Sequence, residues 1–337
     1  MAKVCQLFCL LLALLCGNAR ADSCSIAPND VVFPDVSSIS PSDVFTSTSF
    51  RVTCTWTDTN LGALLTPYVN VCLYLGAGTN SSTTVTAPRQ IGNGALRVNY
   101  NIYTDPSYAA AKIWGGWAGT TTASPGTYSI VFNMAKTGLT GTLFQDVSFY
   151  GKLTADSTLS SIVVGNTNLS FTSNFGAGSS LMQYLFFLTP TVGCALGPTL
   201  PINFQVRANV INDCNISIGN LMFPNSSLLS SAVRTTSNMT VQCSNSTAYK
   251  ITFSAGTYGS STTARKMRNQ ANSDVVSYQI SNSLDGTSLG DGTSGTVAVT
   301  GTGDGAAHIQ TLYGLVPPQT TPSPGDYKDT ITATVLF

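Results

Sequence analysis

The stretch Ile202-Asn203-Phe204-Gln205-Val206-Arg207-Ala208-Asn209-Val210-Ile211-Asn212-Asp213-Cys214 decides how this chain is read. Ile202, Phe204, Val206, Ala208 and Val210 are apolar and alternate with polar residues, the period of a β-strand with one buried face. A cysteine follows at once, and the sequence beyond Cys214 repeats the sequence beyond Cys24. No strand of this kind stands before Cys24, so the two copies differ in what precedes them.

The repeat runs the length of both copies. Cys24-Ser25-Ile26 and Val31-Val32-Phe33-Pro34 match Cys214-Asn215-Ile216 and Leu221-Met222-Phe223-Pro224. Phe50-Arg51-Val52-Thr53-Cys54 matches Met239-Thr240-Val241-Gln242-Cys243, and Arg89-Gln90-Ile91 matches Arg265-Lys266-Met267. Tyr100 pairs with Tyr278, and Tyr150-Gly151 with Tyr313-Gly314. Short alternating runs, separated by Gly, Asn, Ser and Pro and with no helical period, predict an all-β chain of two β-sandwiches in tandem. The expected boundaries are a leader over 1–21, a first domain over 22–201 and a second over 202–337.

The first copy is longer in three places. Cys54 to Tyr68 is 14 steps against six from Cys243 to Tyr249, which places eight extra residues around 60–67. Tyr100 to Tyr150 is 50 steps against 35 from Tyr278 to Tyr313, with the extra length expected near 108–117. The first copy also runs on after Phe171, through the apolar segment 181–188, to Pro201.

Lys3, the apolar run Val4 to Cys16 and Ala19-Arg20-Ala21 read as a secretory leader with cleavage before Asp22. Leu15 is too large for a lipid-attachment site at Cys16. No later segment holds about 20 consecutive apolar residues, so an exported chain without a membrane span is expected. Beyond the leader remain six cysteines: Cys24, Cys54, Cys72, Cys194, Cys214 and Cys243. An even number in an exported chain predicts disulfides. The repeat chooses the pairing, with Cys24–Cys54 at a step of 30 and Cys214–Cys243 at a step of 29, leaving Cys72 with Cys194. Each short bridge is worth about 3–4 kcal/mol by loop entropy.

Charged residues are 9% of the chain, all 15 acids are aspartate, and the formal net charge is zero. Neither nucleic-acid binding nor long-range steering finds support in that balance. With His308 alone and no glutamate, acid–base and nucleophile pairs are hard to assemble, so an enzyme is not expected. Asp285-Gly286, Gly290-Asp291-Gly292 and Gly303-Asp304-Gly305 lack the spacing of a calcium loop and read as tight turns. No cofactor or metal is expected.

The second copy resembles the spore coat protein U domain, the pilin domain of archaic (Csu-type) chaperone–usher pili. The resemblance rests on Phe204-x-Val206-x-Ala208-x-Val210 before Cys214, Ile218 to Phe223, Val241-x-Cys243-Ser244, Tyr249 to Gly256, Arg265-Lys266-Met267, Tyr278, Leu312-Tyr313-Gly314 and Gly325-Asp326-Tyr327-Lys328-Asp329-Thr330. A divergent domain followed by a pilin domain resembles the two-domain tip adhesin of such pili. The resemblance implies immunoglobulin-like sandwiches, the second an incomplete pilin fold that needs a donor strand from an adjacent subunit. It also implies a periplasmic chaperone and an outer-membrane usher as partners, and delivery to the cell surface at a pilus tip. Chaperone or donor-strand contact would fall on the last strand, at Thr330, Thr332, Thr334, Leu336 and Phe337.

An N-terminal donor strand is expected to be missing ahead of Cys24, which suits a subunit that receives a strand and gives none away. For 202–210 three readings stand: it completes the first domain, or 181–188 does so by a hairpin, or it is an early part of the second domain's first strand. The Cys24 end of the first domain is expected to face the target. It would carry the loop after Cys54, the loop around 104–120 and the one around 152–159. Leu61, Leu64 and Leu65 in one loop, with Ile113, Trp114 and Trp117 in another, suit an abiotic or hydrophobic surface. The bland alternative has these side chains folded over the core. A non-adhesive structural or spore-coat-like subunit and a carbohydrate-binding lectin are the other functional readings.

Overall fold

The computed structural model of the chain describes residues 22–57, 66–81, 88–116, 129–191, 193–194 and 197–337. Apart from a 3-10 turn at Ala110–Lys112 and one helical turn at Ser157–Ser160, its elements are strands. In the first copy these are β1 (Ser23–Ala27), β2 (Val31–Val32), β3 (Val36–Ser37), β4 (Val44–Thr57), β5 (Tyr68–Leu75), β6 (Arg89–Asn93), β7 (Leu96–Tyr103), β8 (Ile130–Ala135) and β9 (Thr140–Leu153). They continue with β10 (Leu169–Phe175), β11 (Ser180–Phe187), β12 (Thr199–Pro201) and β13 (Phe204–Ile211). The second copy has β14 (Cys214–Ile218), β15 (Val233–Cys243), β16 (Ala248–Phe253), β17 (Arg265–Asn269), β18 (Val275–Ser281), β19 (Val299–Thr302), β20 (Ala307–Val316), β21 (Tyr327–Lys328) and β22 (Ala333–Leu336).

Each copy is a two-sheet sandwich, immunoglobulin-like as expected. In the first, the order β1-β4-β9-β7-β6-β10-β13-β2 makes one sheet, with β3 also on β13, and β12-β11-β5-β8 makes the other. In the second, the orders are β14-β15-β20-β18-β17-β21 and β19-β16-β22. The alternation read from sequence is the alternation of burial. In β4, Phe50, Val52, Cys54 and Trp56 are buried, and the residues between them are not.

Equivalent atoms in the two copies make equivalent bonds. Arg89 and Arg265 are buried and donate to main-chain carbonyls. Arg89 Nε reaches Gly76 O at 2.7 Å and its Nη2 reaches Trp114 O at 2.7 Å. Arg265 Nε reaches Ser254 O at 2.9 Å and its Nη2 reaches Leu289 O at 2.7 Å. Each guanidinium thereby ties one sheet to the other, and the carbonyl dipoles replace the water that burial removes. Burial holds Arg89 down at a pKa of about 10, still charged at neutral pH. The three disulfides are Cys24–Cys54, Cys72–Cys194 and Cys214–Cys243, the pairing predicted.

The domain boundary differs from expectation. The first compact unit takes in residues up to 34, then 43–154 and 171–208, and the second takes in 35–42, 155–170 and 209–337. Phe204–Ala208 therefore belongs to the first unit, past the boundary expected at Pro201, because its apolar face is buried there.

Two outcomes follow from this packing. Arg89→Lys keeps the charge but loses the planar fork, and should lower unfolding free energy by about 2–4 kcal/mol. Denaturant titration read by tryptophan fluorescence measures this, and an unchanged midpoint contradicts it. A fragment of residues 22–201 should bind a hydrophobic dye and aggregate, whereas residues 22–213 should be monodisperse. Equal behaviour of the two fragments would show that β13 is dispensable to the first sandwich.

Candidate functional site

Strand β13 lies between β10 and β2 in the large sheet of the first domain. Phe204, Val206, Ala208 and Val210 are buried, while Gln205, Arg207 and Asn209 are exposed. Its pairing with β2 is parallel, Val206 opposite Val31 and Arg207 opposite Val32. Phe33 N donates to Arg207 O at 2.9 Å and Gln205 N to Asp30 Oδ1 at 2.8 Å, with Arg207 also ion-paired to Asp30. The Phe204 ring enters an aromatic wall: Phe175 stacks on it at 4.7 Å, Phe50 meets it edge-on at 5.0 Å, and Trp114 lies parallel at 6.3 Å. Burial of each large apolar side chain on this strand contributes about 1.5–3 kcal/mol.

Of the three readings of this region the first agrees with the strand order, and the hairpin reading does not, since β11 is not paired with β10. Residues 204–211 complete the large sheet, and 180–187 form β11 against β5 in the other sheet. The third fails, since the first strand of the second copy begins separately at Cys214 against Cys243.

The second copy has no strand at the corresponding place. Its backbone frame matches closely there: Thr46 Oγ1 donates to Val32 O and Thr235 Oγ1 to Met222 O, both at 2.7 Å. Phe33 meets Tyr100 edge-on at 6.4 Å, and Phe223 meets Tyr278 edge-on at 6.4 Å. Yet Val31 and Phe33 are 1% and 4% exposed beneath β13, whereas Leu221 and Phe223 are only half-buried. The seven-residue β10 has β21 as its counterpart, two residues long and at the edge of its sheet. From 327 to 335 the chain alternates half-buried and exposed residues, none of them fully buried. The second copy thus has a half-buried row of apolar side chains along an edge of its sheets.

The expected contact residues occupy the exposed phase of this segment. Thr330, Thr332, Thr334, Leu336 and Phe337 are exposed, and the side chains packed on the core are Tyr327, Ile331, Ala333 and Val335. The main chain of Thr332 is joined to Ser254, and β22 pairs with β16 from Lys250–Leu336 to Phe253–Ala333. The missed residues carried a signal, since Tyr327, Ile331 and Val335 are the apolar phase of the same run.

One charged group lies along this edge. Asp329 shares the inward phase and accepts from Tyr278 Oη at 2.6 Å, Thr257 N at 2.8 Å and Thr330 N at 2.8 Å. Its counterpart in the first copy is Ser173, buried beside Tyr100. Burial raises Tyr278 well above the ordinary phenol range, reinforced by the bond to Asp329, and burial pushes Tyr100 up to about 12. Both tyrosines are neutral hydroxyls at any physiological pH.

At the other end of the first domain the loops partly differ from expectation. Trp114 is fully buried and Ile113 is 8% exposed, so neither is a surface tip. Trp114 stacks on Phe149 at 4.1 Å and donates its indole N–H to Leu73 O at 3.1 Å. It occupies the place of Leu289 in the second copy, because Trp114 N bonds Ile102 O as Leu289 N bonds Ile280 O, each at 2.8 Å. Most of the extra length between Tyr100 and Tyr150 therefore falls after Trp114, not around it. Leu61, Leu64, Leu65 and Trp117 lie outside the described residues.

The loop at 152–159 is at the opposite end, since Leu153 pairs with Val44 while Thr57 pairs with Thr140. What gathers at the Cys24 end is different. Thr57 and Tyr68 meet the 135–140 turn and Phe187 there. Leu139, Phe187 and Leu188 are 59%, 45% and 54% exposed. Beneath them Lys136, its side chain 2% exposed, donates to Asp22 Oδ2 at 2.8 Å, and Thr57 N donates to Asp22 Oδ1. Cys72–Cys194 anchors the chain beyond Phe187 to β5.

Elsewhere the titratable groups are committed locally. His308 pairs with Asp304 on the surface, and Asp285 pairs with Arg234. The Gly/Asp stretches are turns, with positive φ at Asp285, Gly292 and Gly305. Among the described residues no cluster of three His, Cys, Asp or Glu is placed to hold a metal. No described helix is long and apolar enough to cross a membrane.

These features agree with what comparison finds. The Spore Coat Protein U domain matches residues 11–176 and again 201–334. Comparison with curated proteins returns no match. Among solved structures, the CsuC–CsuE chaperone–tip adhesion subunit pre-assembly complex from archaic chaperone–usher Csu pili of Acinetobacter baumannii is similar in fold. The likeness covers 94% of this chain and 100% of that one, at 16% identity and a TM-score of 0.54. The CupB6 tip adhesin of Pseudomonas aeruginosa covers 94% of both chains, at 9% identity and a TM-score of 0.37. Matched over both of its copies, this chain belongs to the Spore Coat Protein U domain family.

Proposed function

We propose that the chain is the tip adhesin subunit of a chaperone–usher pilus. The observation that carries this is the pair of grooves, one filled from within the chain and one open. The first domain is completed by β13, and Ser23–Ala27 is paired with β4 within its sheet, which supports a domain that needs no strand from a neighbour. The second domain receives a donor strand from the adjacent subunit along the 327–335 edge. A periplasmic chaperone covers that edge before assembly, and an outer-membrane usher carries out the exchange. Leaving the edge bare would expose an aggregation-prone strand, which is why a chaperone is required.

The free Cys24 end of the first domain makes the contact with a target surface. Leu139, Phe187 and Leu188 supply exposed apolar area there, and Leu61, Leu64 and Leu65, which lie outside the described residues, are taken to add to it. With little charge nearby, the fitting target is a hydrophobic surface, abiotic or lipid-like, and the result of binding is attachment and biofilm growth. The full role places the protein at the cell surface, at the distal end of the fibre.

Ala333→Arg and Ile331→Arg should each abolish co-purification with the chaperone and entry into fibres while leaving the 22–208 domain folded. Fibres that still carry the variant chain would refute strand acceptance. Replacing Leu61, Leu64, Leu65, Leu139 and Leu188 with Thr should reduce attachment to polystyrene by about tenfold or more at unchanged thermal stability. Undiminished attachment by a folded variant would dismiss the apolar contact. Gold-labelled antibody against residues 22–208 should mark fibre ends, and labelling along the shaft would disprove the tip position.

A further inference from the structure

The two grooves of this chain differ at two neighbouring subsites, which gives them different selectivities. In the filled groove, the Phe204–Phe175 stack and the bond from Ser170 Oγ to Asn209 Oδ1 run β13 antiparallel to β10 and set Val206 opposite Ser173. The first subsite, under Phe204, has an aromatic wall made by Phe50, Trp114 and Phe175. The second, under Val206, has the neutral hydroxyl of Ser173 beside that of Tyr100.

The counterparts in the open groove follow from the shared frame. Trp114 becomes Leu289 and Phe50 becomes Met239, by the matched bonds and the matched strands. The registers Thr172–Gly92 and Lys328–Arg268 make Phe175 into Ile331 and Ser173 into Asp329. The first subsite is therefore aliphatic and offers no ring to stack on. The second is a carboxylate, already bonded to one hydroxyl and two amides, with the Arg265 guanidinium and the Tyr278 hydroxyl as its ionisable neighbours. A valine laid over that carboxylate would strip its remaining water and return nothing.

Resting on the strand-acceptance reading above, we infer that the open groove rejects the chain's own strand and selects a foreign one. Its occupant is an extended segment of a different chain, with an aliphatic side chain over Leu289 and Ile331. The next inward side chain of that segment is a hydrogen-bond donor such as threonine, over Asp329. The selectivity keeps β13 of one copy out of the second domain of another, and so keeps this subunit from polymerising with itself. Asp329 and Ile331 are the specificity-determining residues.

The test uses the full chain and two labelled peptides, residues 202–212 as they stand and the same peptide carrying Phe204→Leu and Val206→Thr. Fluorescence anisotropy should show the substituted peptide binding about tenfold more tightly, from an aliphatic side chain that fits the ringless subsite and one gained charge-assisted bond. Ala333→Arg should abolish that binding, which locates it in the second domain. In an Asp329→Ser, Ile331→Phe chain the order of the two peptides should reverse. Equal affinities for the wild-type chain would overturn the selectivity while leaving strand acceptance intact. So would tighter binding of the unsubstituted peptide, or an order unchanged by the double variant. If neither peptide binds, strand acceptance itself falls and the selectivity with it. The two peptides on the wild-type chain decide the matter even where the variant does not fold.

Discussion

A sheet edge that borders a hydrophobic core has to be covered by something. Main-chain donors and acceptors along it need partners, and the side chains beneath need a lid against water. In the first domain the lid is β13, and its four inward side chains complete a core that twelve earlier strands leave open. In the second domain the same frame is present, bond for bond around Arg265, Leu289 and Thr235, and the lid is not. The difference between Phe33 at 4% exposure and a half-buried Phe223 measures what the lid does.

The sequence was a good guide to faces and a poor one to neighbours. Alternation in 202–210 marks which side is buried because side-chain direction is local to a strand. It does not say what covers that side, and so the boundary was expected at Pro201 and not beyond Ala208. The disulfides were legible because the repeat spaces the cysteines alike in both copies. Trp114 was not, because a tryptophan beside Gly115-Gly116 looks like a turn tip, whereas its burial depends on Arg89 reaching its carbonyl from another strand. At the C-terminus, Thr330 and Thr332 alternate as regularly as Ile331 and Ala333. Only the core decides which phase faces inward.

The buried arginines show how a chain with few charges holds two sheets in register. Carbonyls at strand ends solvate each guanidinium with their dipoles, and for Arg89 this is done without a second ion to desolvate. The arrangement also fixes which residue, Trp114 or Leu289, sits under the covering strand, and through it the character of each groove.

Only Asn212 and Asp213 separate β13 from Cys214, which is bonded to Cys243 in the long strand β15. A pull on the chain beyond Asp213 is therefore passed first to β13. That strand runs away from the Cys24 end, parallel to β2. A pull in this direction loads its ladder hydrogen bonds in shear, all together, and does not peel them one at a time. The element that completes the first core is thus also the first that a pull on the segment beyond it would load.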